Sequence, residues 1–339
     1  MGRLKKFLVG CGAAAVLLVV VGFLLPRTVH VERSIVVAAP QATVFTVLNG
    51  FRQFNKWAPW PELDPEMKTT LAGPDTGVGA SYAWSGNDQV GTGSQEIIES
   101  RPYSVIRNKL VFGGFEGADD TASFTFAPEG QGTRVVWAFD GDNKYNILSR
   151  YFALFMDAFI GPDYEKGLAK LKKFAEGLPG DDFSTIEVGV GEVAPMSVAY
   201  VATASSVDDK AIGVALGVAY GKVSGFVNAQ GLRQTAPPVA RYQDAKAQVV
   251  RFEAGIPVDR DAVKGADGGV RLARTYGGRV VKAAYKGPYS GLKAAHQRVQ
   301  AFIAAAGYER NGMMWEQYVS DPGTTPEAEL VTHIYYPVK

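Results

Sequence analysis

The C-terminal half of the sequence repeats itself once over a long period, and this repeat constrains its fold more than any other feature. Gly231 and Gly307 each follow an amphipathic stretch and stand 76 residues apart, and Tyr242 and Tyr318 have the same offset. A period this long is not that of a solenoid. Two copies predict one pseudo-symmetric domain, in which each half reads strand, strand, helix, strand, strand.

One predicted strand of the second copy places a carboxylate on an aromatic face. Glu316 and Tyr318 are two residues apart, so their side chains point the same way on a strand, together with Met314. A lone acid there requires a cationic or hydrogen-bonding partner. The repeat aligns Glu316 with Ala240, which favours a role for the acid in a site rather than in the fold. The alternative is that Glu316 pairs with an arginine at a sheet edge.

The N-terminus begins with a basic cluster followed by an apolar segment. Residues 7–25 contain no charge, which suits one membrane-spanning helix, and Arg3, Lys5 and Lys6 precede them. This charge pattern predicts that residues 1–6 are cytoplasmic and that the rest of the chain is extracytoplasmic. A cleaved signal peptide, a lipoprotein signal and a buried core helix fit the flanking residues less well. We therefore expect a single-pass protein of a bacterial inner membrane with periplasmic domains.

Composition argues against several classes of protein. The chain has 35 lysines and arginines against 34 aspartates and glutamates, so we expect no nucleic-acid partner. The one cysteine, Cys11, lies in the apolar segment, which leaves the folded part without a disulfide or a thiol nucleophile. His30, His296 and His333 have no metal-ligand spacing, and His296 is interpreted as a boundary residue of a helix. No phosphate loop or nucleophile elbow is present, and we expect neither a metal nor a cofactor.

Residues 32–176 read as a strand, short helices, a run of antiparallel strands and a long C-terminal helix. The helical pattern that starts at Tyr151 is predicted to be interrupted at Gly161-Pro162. The informative motifs are Ile35-Val36-Val37-Ala38-Ala39-Pro40, Trp57-Ala58-Pro59-Trp60, Gly77-Val78-Gly79-Ala80, Gly91-Thr92-Gly93, Gly132-Thr133-Arg134-Val135 with Trp137, and Lys166-Gly167-Leu168 with Leu171. In their order they resemble the START and polyketide-cyclase superfamily (SRPBCC).

That resemblance implies a helix-grip fold, in which an antiparallel sheet wraps around a long helix over a hydrophobic cavity. The residues that could line such a cavity are Trp57, Trp60, Trp84, Trp137, Phe112 and Phe115. A packed core with a few exposed rings is the alternative. The sequence offers no acid–base pair in this region that would indicate catalysis.

A linker is predicted over residues 177–184, and a second α+β domain over 185–339. Its motifs are Tyr285-Lys286-Gly287-Pro288-Tyr289-Ser290-Gly291-Leu292, Ala306-Gly307-Tyr308, Glu316-Gln317-Tyr318 with Asp321-Pro322, and Glu329-Leu330 before Tyr336-Pro337-Val338. They resemble the GyrI-like domain, which also forms the effector-binding part of AraC-type and multidrug-responsive regulators.

The GyrI-like resemblance implies that a strand glutamate in an aromatic cleft receives lipophilic cations. Glu316 would be that acid, with Tyr318, Tyr285, Tyr242 and Trp315 around it, although strand parity points Trp315 away. The chain shows no helix-turn-helix unit, so direct gene regulation is not expected.

These patterns lead to one main hypothesis and two alternatives. The main hypothesis is a membrane-anchored protein that binds hydrophobic small molecules in two domains, the second accepting lipophilic, cationic compounds. The first alternative is a hydrolase or detoxifying enzyme that acts on reactive hydrophobic molecules through Glu316. The second is a structural or partner-binding module, whose protein partner the sequence does not name.

Overall fold

The computed structural model describes residues 2–113, 119–243, 248–261 and 269–339. It has two compact units: the first holds the chain up to Gly180, and the second holds nearly all of the chain from Asp181 onward. Each unit has its own antiparallel sheet and its own helices. The predicted α+β class is confirmed, including an apolar helix at the N-terminus.

The first unit wraps a seven-stranded sheet around one long helix. Its elements are α1 (Gly2–Leu24), β1 (Thr28–Val37), α2 (Gln41–Leu48), α3 (Phe54–Trp57), β2 (Lys68–Ala72), β3 (Ser81–Ser85), β4 (Thr92–Arg101), β5 (Val105–Phe112), β6 (Asp120–Glu129), β7 (Gly132–Asp142), α4 (Ile147–Ala153) and α5 (Met156–Glu176). The strand order is β1-β7-β6-β5-β4-β3-β2. Every neighbouring pair is antiparallel: strands β2 to β7 form a meander, and β1 pairs with the last of them, β7.

Helix α5 is continuous through Pro162, so the interruption predicted at Gly161-Pro162 is wrong. A proline inside a helix removes one backbone hydrogen bond and crowds the preceding turn. Here Arg33 on β1 compensates, because it bonds Asp157 Oδ1 at 2.8 Å on one side of the proline and Glu165 Oε1 at 2.7 Å on the other. A contact from a distant strand therefore holds together two turns that the local sequence would separate.

The second unit repeats one five-element motif. Its elements are β8 (Glu187–Val193), β9 (Ser197–Ser206), α6 (Asp209–Ala229), β10 (Val239–Tyr242) and β11 (Val249–Pro257), followed by β12 (Arg271–Arg274), β13 (Gly278–Lys286), α7 (Leu292–Ala306), β14 (Met314–Tyr318) and β15 (Val331–Pro337). The sheet order is β12-β9-β11-β10-β14-β15-β13-β8. The repeat makes β8 to β11 equivalent to β12 to β15, each in order. If every strand is replaced by its equivalent, the sheet order reads the same from either end.

The pseudo-two-fold axis runs through the middle of this sheet. Strands β10 and β14 pair antiparallel, with Ala240 directly opposite Glu316. These two residues are also equivalent in the 76-residue repeat, so the axis passes between them. Helices α6 and α7 pack on the same side, with Ala219 and Val223 of α6 buried at the positions that repeat as Ala295 and Val299 of α7.

Two described helices are long and apolar enough to cross a membrane. One is α1 from Lys6 to Leu24, which is exposed along nearly all of its length, and the other is α6. Helix α6 packs Ala219, Val223 and Val227 against the sheet of the second unit, as a core helix does. Helix α1 has no comparable apolar partner along most of its surface.

Candidate functional site

A cavity of about 770 Å³ lies in the second unit, above the centre of the sheet. Its walls come from the facing parts of α6 and α7 and from the strand ends at the pseudo-symmetry axis. The side chains that decide its chemistry are Asp209, Tyr220, Tyr242, Tyr289, Lys293, His296, Glu316, Tyr318 and Asp321. The volume is suited to a small organic molecule, since ligand pockets measure roughly 300–1,000 Å³.

Glu316 occupies the floor of this cavity on β14. Strand parity turns its side chain towards the helices, and only 5% of its surface is exposed. The residue across the axis is Ala240, which is fully buried and leaves room beside the carboxylate. The alternative that Glu316 pairs with an arginine at a sheet edge is not what the structure shows. Its recorded partners are two tyrosines and a histidine.

Two tyrosines that are equivalent in the repeat converge on one oxygen of this carboxylate. The Tyr318 hydroxyl donates to Glu316 Oε2 at 2.5 Å, and the Tyr242 hydroxyl lies 3.3 Å from the same oxygen and 2.9 Å from the Tyr318 hydroxyl. Burial first, and then the negative charge of Glu316, raises the pKa of Tyr242 and of Tyr318 well above 10. Both groups therefore remain protonated donors at neutral pH.

His296 on α7 contacts the second oxygen of the carboxylate. Its Nε2 lies 2.8 Å from Glu316 Oε1, and its Nδ1 lies 2.9 Å from the hydroxyl of Tyr336. Gln300 Nε2 donates to the same hydroxyl at 3.0 Å. If Gln300 donates to Tyr336, Tyr336 to Nδ1 and Nε2–H to Glu316, the chain of bonds is satisfied by a neutral imidazole. In that arrangement His296 links Glu316 to Tyr336 and Gln300.

Of the predicted site residues, Glu316, Tyr318 and Tyr242 lie together in the cavity wall, whereas Trp315 and Tyr285 do not line it. Trp315 faces the other side of the sheet, where it stacks on Tyr335 with ring centroids 4.8 Å apart. This is the orientation that strand parity requires.

Tyr285 lies on β13, which β15 separates from β14. Its hydroxyl donates to the carbonyl of Pro288 at 2.9 Å, so the ring stays over the turn that leads into α7. This local bond keeps the side chain away from Glu316.

The lining residues that sequence reasoning missed include His296, Tyr220 and Tyr289. The ring of Tyr289 meets that of Tyr318 edge-on with centroids 5.6 Å apart, and the Tyr220 hydroxyl donates to the carbonyl of Val239 at 2.9 Å. The repeat contained a signal for two of them, because Tyr220 and His296 are 76 residues apart and therefore occupy equivalent places on α6 and α7.

A second cavity, of about 240 Å³, lies in the first unit between the sheet and α5. Of the predicted lining residues, Trp60, Trp84, Trp137 and Phe112 contribute to it. Trp57 does not, because it is 1% exposed and packs inside the aromatic core, and Phe115 lies outside the described residues. The lining found among the described residues contains no charged side chain.

Comparison with protein families identifies both units. Residues 28–176 match the family described as polyketide cyclase, dehydrase and lipid transport, and residues 187–339 match the GyrI-like small-molecule-binding domain. The chain therefore carries an SRPBCC-like domain and a GyrI-like domain in tandem, and the two predicted resemblances are confirmed. Both families are families of small-molecule-binding domains. No curated protein sequence matches the chain.

Several solved structures are similar to the chain at low identity. The C-terminal domain of EcmrR is 20% identical, with a TM-score of 0.41, over 46% of this chain and 98% of that one. A hydrolase from Listeria innocua is 16% identical, with a TM-score of 0.34, over 45% and 92%. A protein from Chromobacterium violaceum is 17% identical, with a TM-score of 0.32, over 45% and 99%. These identities are too low to transfer a ligand or an activity to this chain.

Proposed function

We propose that the chain is a membrane-anchored small-molecule-binding protein and that its GyrI-like domain binds lipophilic cations. The observation that carries this proposal is Glu316, a buried carboxylate at the floor of an aromatic cavity. Its hydrogen bonds come from two hydroxyls and an imidazole, and in the described part of the chain no lysine or arginine gives its charge a permanently cationic partner. A bound cation would supply one.

The electrostatics of the cavity support a cation. Among the described residues that line it, the carboxylates of Asp209, Glu316 and Asp321 outnumber the one ammonium group, that of Lys293. Four tyrosine rings also line the cavity, and aromatic faces attract cations, most strongly where water is displaced. Asp209 and Asp321 are exposed, so they would act mainly on the approach of the ligand, whereas Glu316 would act on the bound state.

For the first domain we propose a neutral, apolar or lipid-like ligand. Its cavity is lined by aromatic and aliphatic side chains, and the described polar members are uncharged, such as Gln89 and Gln95. A charged group would lose its hydration there without a partner. The two domains would therefore select ligands of different charge.

We further propose that α1 anchors both domains to a bacterial inner membrane, with the N-terminus in the cytoplasm and the domains on the periplasmic side. This rests on the uncharged segment 7–25 and on the basic residues before it. The helix from Lys6 to Leu24 is long enough to span the apolar layer and is almost fully exposed.

The test of the cation site compares one ligand with its uncharged isostere. Full-length protein in nanodiscs is dialysed against an aromatic quaternary ammonium compound and against the same molecule with carbon in place of nitrogen, with empty nanodiscs as the blank. We expect tighter binding of the cation, and a loss of this preference in Glu316→Gln but not in Glu329→Gln, which changes an exposed glutamate of the same domain. Equal binding by wild type and Glu316→Gln would contradict the assignment.

A second candidate function, hydrolysis of a reactive hydrophobic molecule, is supported by the same hydrogen bonds. Tyr318 could donate a proton while Glu316, positioned by His296, activates water. Turnover that Glu316→Gln abolishes while ligand binding persists would establish the enzyme. Binding without turnover in the wild type would support the binding protein.

A further inference from the structure

The first domain exposes a concentrated apolar patch between the end of β7 and the first turn of α5. Its members, all more than half exposed, are Tyr145, Leu148, Phe152, Leu154, Phe155 and Phe159. Five of the six are leucine or phenylalanine side chains. The surface of a soluble protein rarely exposes so many large apolar side chains within so short a stretch of sequence. We call these six residues the apolar patch.

The charged groups around the patch are paired or turned inward. They include Lys144, Arg150 and Asp157, and also Arg27 near Tyr145, which pairs with Asp142. Arg150 is 8% exposed and turns inward, and Asp157 is bonded to Arg33 of β1 at 2.8 Å. Lys144, at the edge, pairs with Asp119 at 2.5 Å. The patch therefore presents apolar surface bordered by neutralised charges.

The patch is fixed directly to the end of α1. The Tyr151 hydroxyl donates to the carbonyl of Leu18 at 2.7 Å, and Arg150 Nη1 donates to the carbonyl of Phe23 at 2.9 Å. Gly22 permits this close packing, because a Cβ at that position would lie 2.1 Å from Ile147 Cγ2. Arg150 also places a positive charge at the C-terminal end of α1, where the helix dipole is negative.

These contacts set the level of α4 relative to the proposed membrane span. Leu18 lies seven residues before Leu25, the last residue of the uncharged segment. At 1.5 Å per residue, Tyr151 is therefore bonded to α1 about 10 Å inside the end of that segment. Amphipathic helices at a membrane surface bury their apolar face to a depth of about 5–10 Å. If α1 spans the bilayer, α4 cannot stay clear of its outer leaflet.

We propose that the apolar patch is a second membrane contact, embedded in the outer leaflet beside α1. The bilayer is the occupant that the structure favours, because the patch is continuous with the exposed surface of α1 and is held at the depth of lipid. This inference rests on the proposed span of α1.

The patch also forms the outer side of the wall of the first-domain cavity. Met156 and Ile160 of α5 line that cavity, while Phe159 on the same helix and Phe155 just before it are exposed. A lipid-embedded patch would therefore place one cavity wall in the membrane, so that a neutral apolar ligand could pass between lipid and cavity without crossing water.

The test measures spin-label accessibility in the full-length chain in phospholipid nanodiscs. Labels are placed one at a time by Phe152→Cys and Phe155→Cys in a Cys11→Ser background, and by Val78→Cys as an exposed control on a turn of the sheet. The native Cys11 of the otherwise unchanged chain carries the label that reports on α1. Collisions with oxygen, which concentrates in lipid, are compared with collisions with a water-soluble nickel chelate.

We expect labels at 152 and 155 to favour oxygen over nickel, as the Cys11 label does, and the label at 78 to favour nickel. A lipid-like ratio at Cys11 with water-like ratios at 152 and 155 would overturn the second contact while leaving the anchor intact. A water-like ratio at Cys11 would refute the anchor itself. Low accessibility to both reagents at 152 and 155 would indicate a protein interface, such as a second copy of the chain, and would equally overturn the proposal.

Discussion

The two tyrosines that meet at Glu316 are equivalent by the repeat but not by their hydrogen bonds, and this difference can be measured. Tyr318 donates to the carboxylate at 2.5 Å, whereas Tyr242 is 3.3 Å from it and 2.9 Å from the Tyr318 oxygen. Each hydroxyl has one proton. The distances favour a relay in which Tyr242 donates to Tyr318 and Tyr318 donates to Glu316.

The relay predicts unequal effects of two chemically identical changes. Tyr318→Phe removes a hydrogen bond to a buried charge, which contributes about 1.5–3 kcal/mol to stability, and it also removes the acceptor of Tyr242. Tyr242→Phe removes a bond between two neutral hydroxyls, which contributes about 0.5–1.5 kcal/mol. Each variant serves as the control for the other, because the same hydroxyl group is removed from the wall of the same cavity.

Hydrogen exchange followed by mass spectrometry reads this difference in the intact chain. Peptides that cover β14 report the local opening free energy of the second domain, and peptides from β5 and β6 report the first domain as an internal reference. We expect β14 to exchange faster in both variants and more so in Tyr318→Phe, with the reference peptides unchanged. Equal acceleration, or a larger effect of Tyr242→Phe, would refute the relay.

Three further changes test other parts of the structure. Gly217→Val adds a side chain to the part of α6 that lines the cavity, at a position where a Cβ meets nothing within 4 Å, so the fold should persist. Affinity for a bulky ligand should fall about 5- to 150-fold, which corresponds to about 1–3 kcal/mol of overpacking. Gly221→Val is equally open but lies outside the lining, and this control should bind normally in the same dialysis assay. Arg150→Gln removes the bonds that Arg150 donates to the carbonyls of Phe23 and Leu25 at the end of α1. The lost stability of about 1–3 kcal/mol should make trypsin cleavage after Arg27 about 5- to 150-fold faster. An unchanged cleavage rate would show that those bonds do not hold the α1–β1 connection. Glu62 has its pKa lowered from 4.5 to about 2 by hydrogen bonds from its two lysine partners on α5, so its contribution to stability is present above pH 4.5 and is lost as the pH falls towards 2. Glu62→Gln should therefore flatten the fall of the melting temperature over that range, and an unchanged slope would contradict the assignment.

The parts of the site that sequence reasoning found are those that local geometry determines. Strand parity alone put Glu316 and Tyr318 on one face and turned Trp315 to the other. The repeat added Tyr242, because equivalent strands meet at a pseudo-two-fold axis. Tyr285 was predicted from the resemblance, yet its position depends on how many strands separate it from β14, and neither the spacing nor the hydrophobic pattern gives the strand order.

The parts that were missed depend on contacts between distant elements. His296 reads as a boundary residue, because the apolar stripe of α7 does not fix the rotation of the helix over the sheet to the precision that a hydrogen bond needs. The predicted break at Pro162 was wrong for a related reason: Arg33, more than 120 residues earlier, supports both flanking turns. Each of these is a single long-range interaction that no local pattern encodes.

The asymmetry of the cleft follows from where the acid stands. Residues directly opposite in an antiparallel pair have Cα atoms about 4.5–5.5 Å apart, so an acid repeated at Ala240 would face Glu316 across the axis at short range. Two carboxylates in such a site cannot both remain ionised, and one would take up a proton. Because the repeat is broken at this position, the site holds one unshared carboxylate instead of a pair that shares one proton. The repeat is also broken at the equivalent pair Tyr220 and His296, where the histidine reaches the acid and the tyrosine bonds to the backbone instead. These two differences convert a symmetric scaffold into a cleft with one charged, oriented carboxylate.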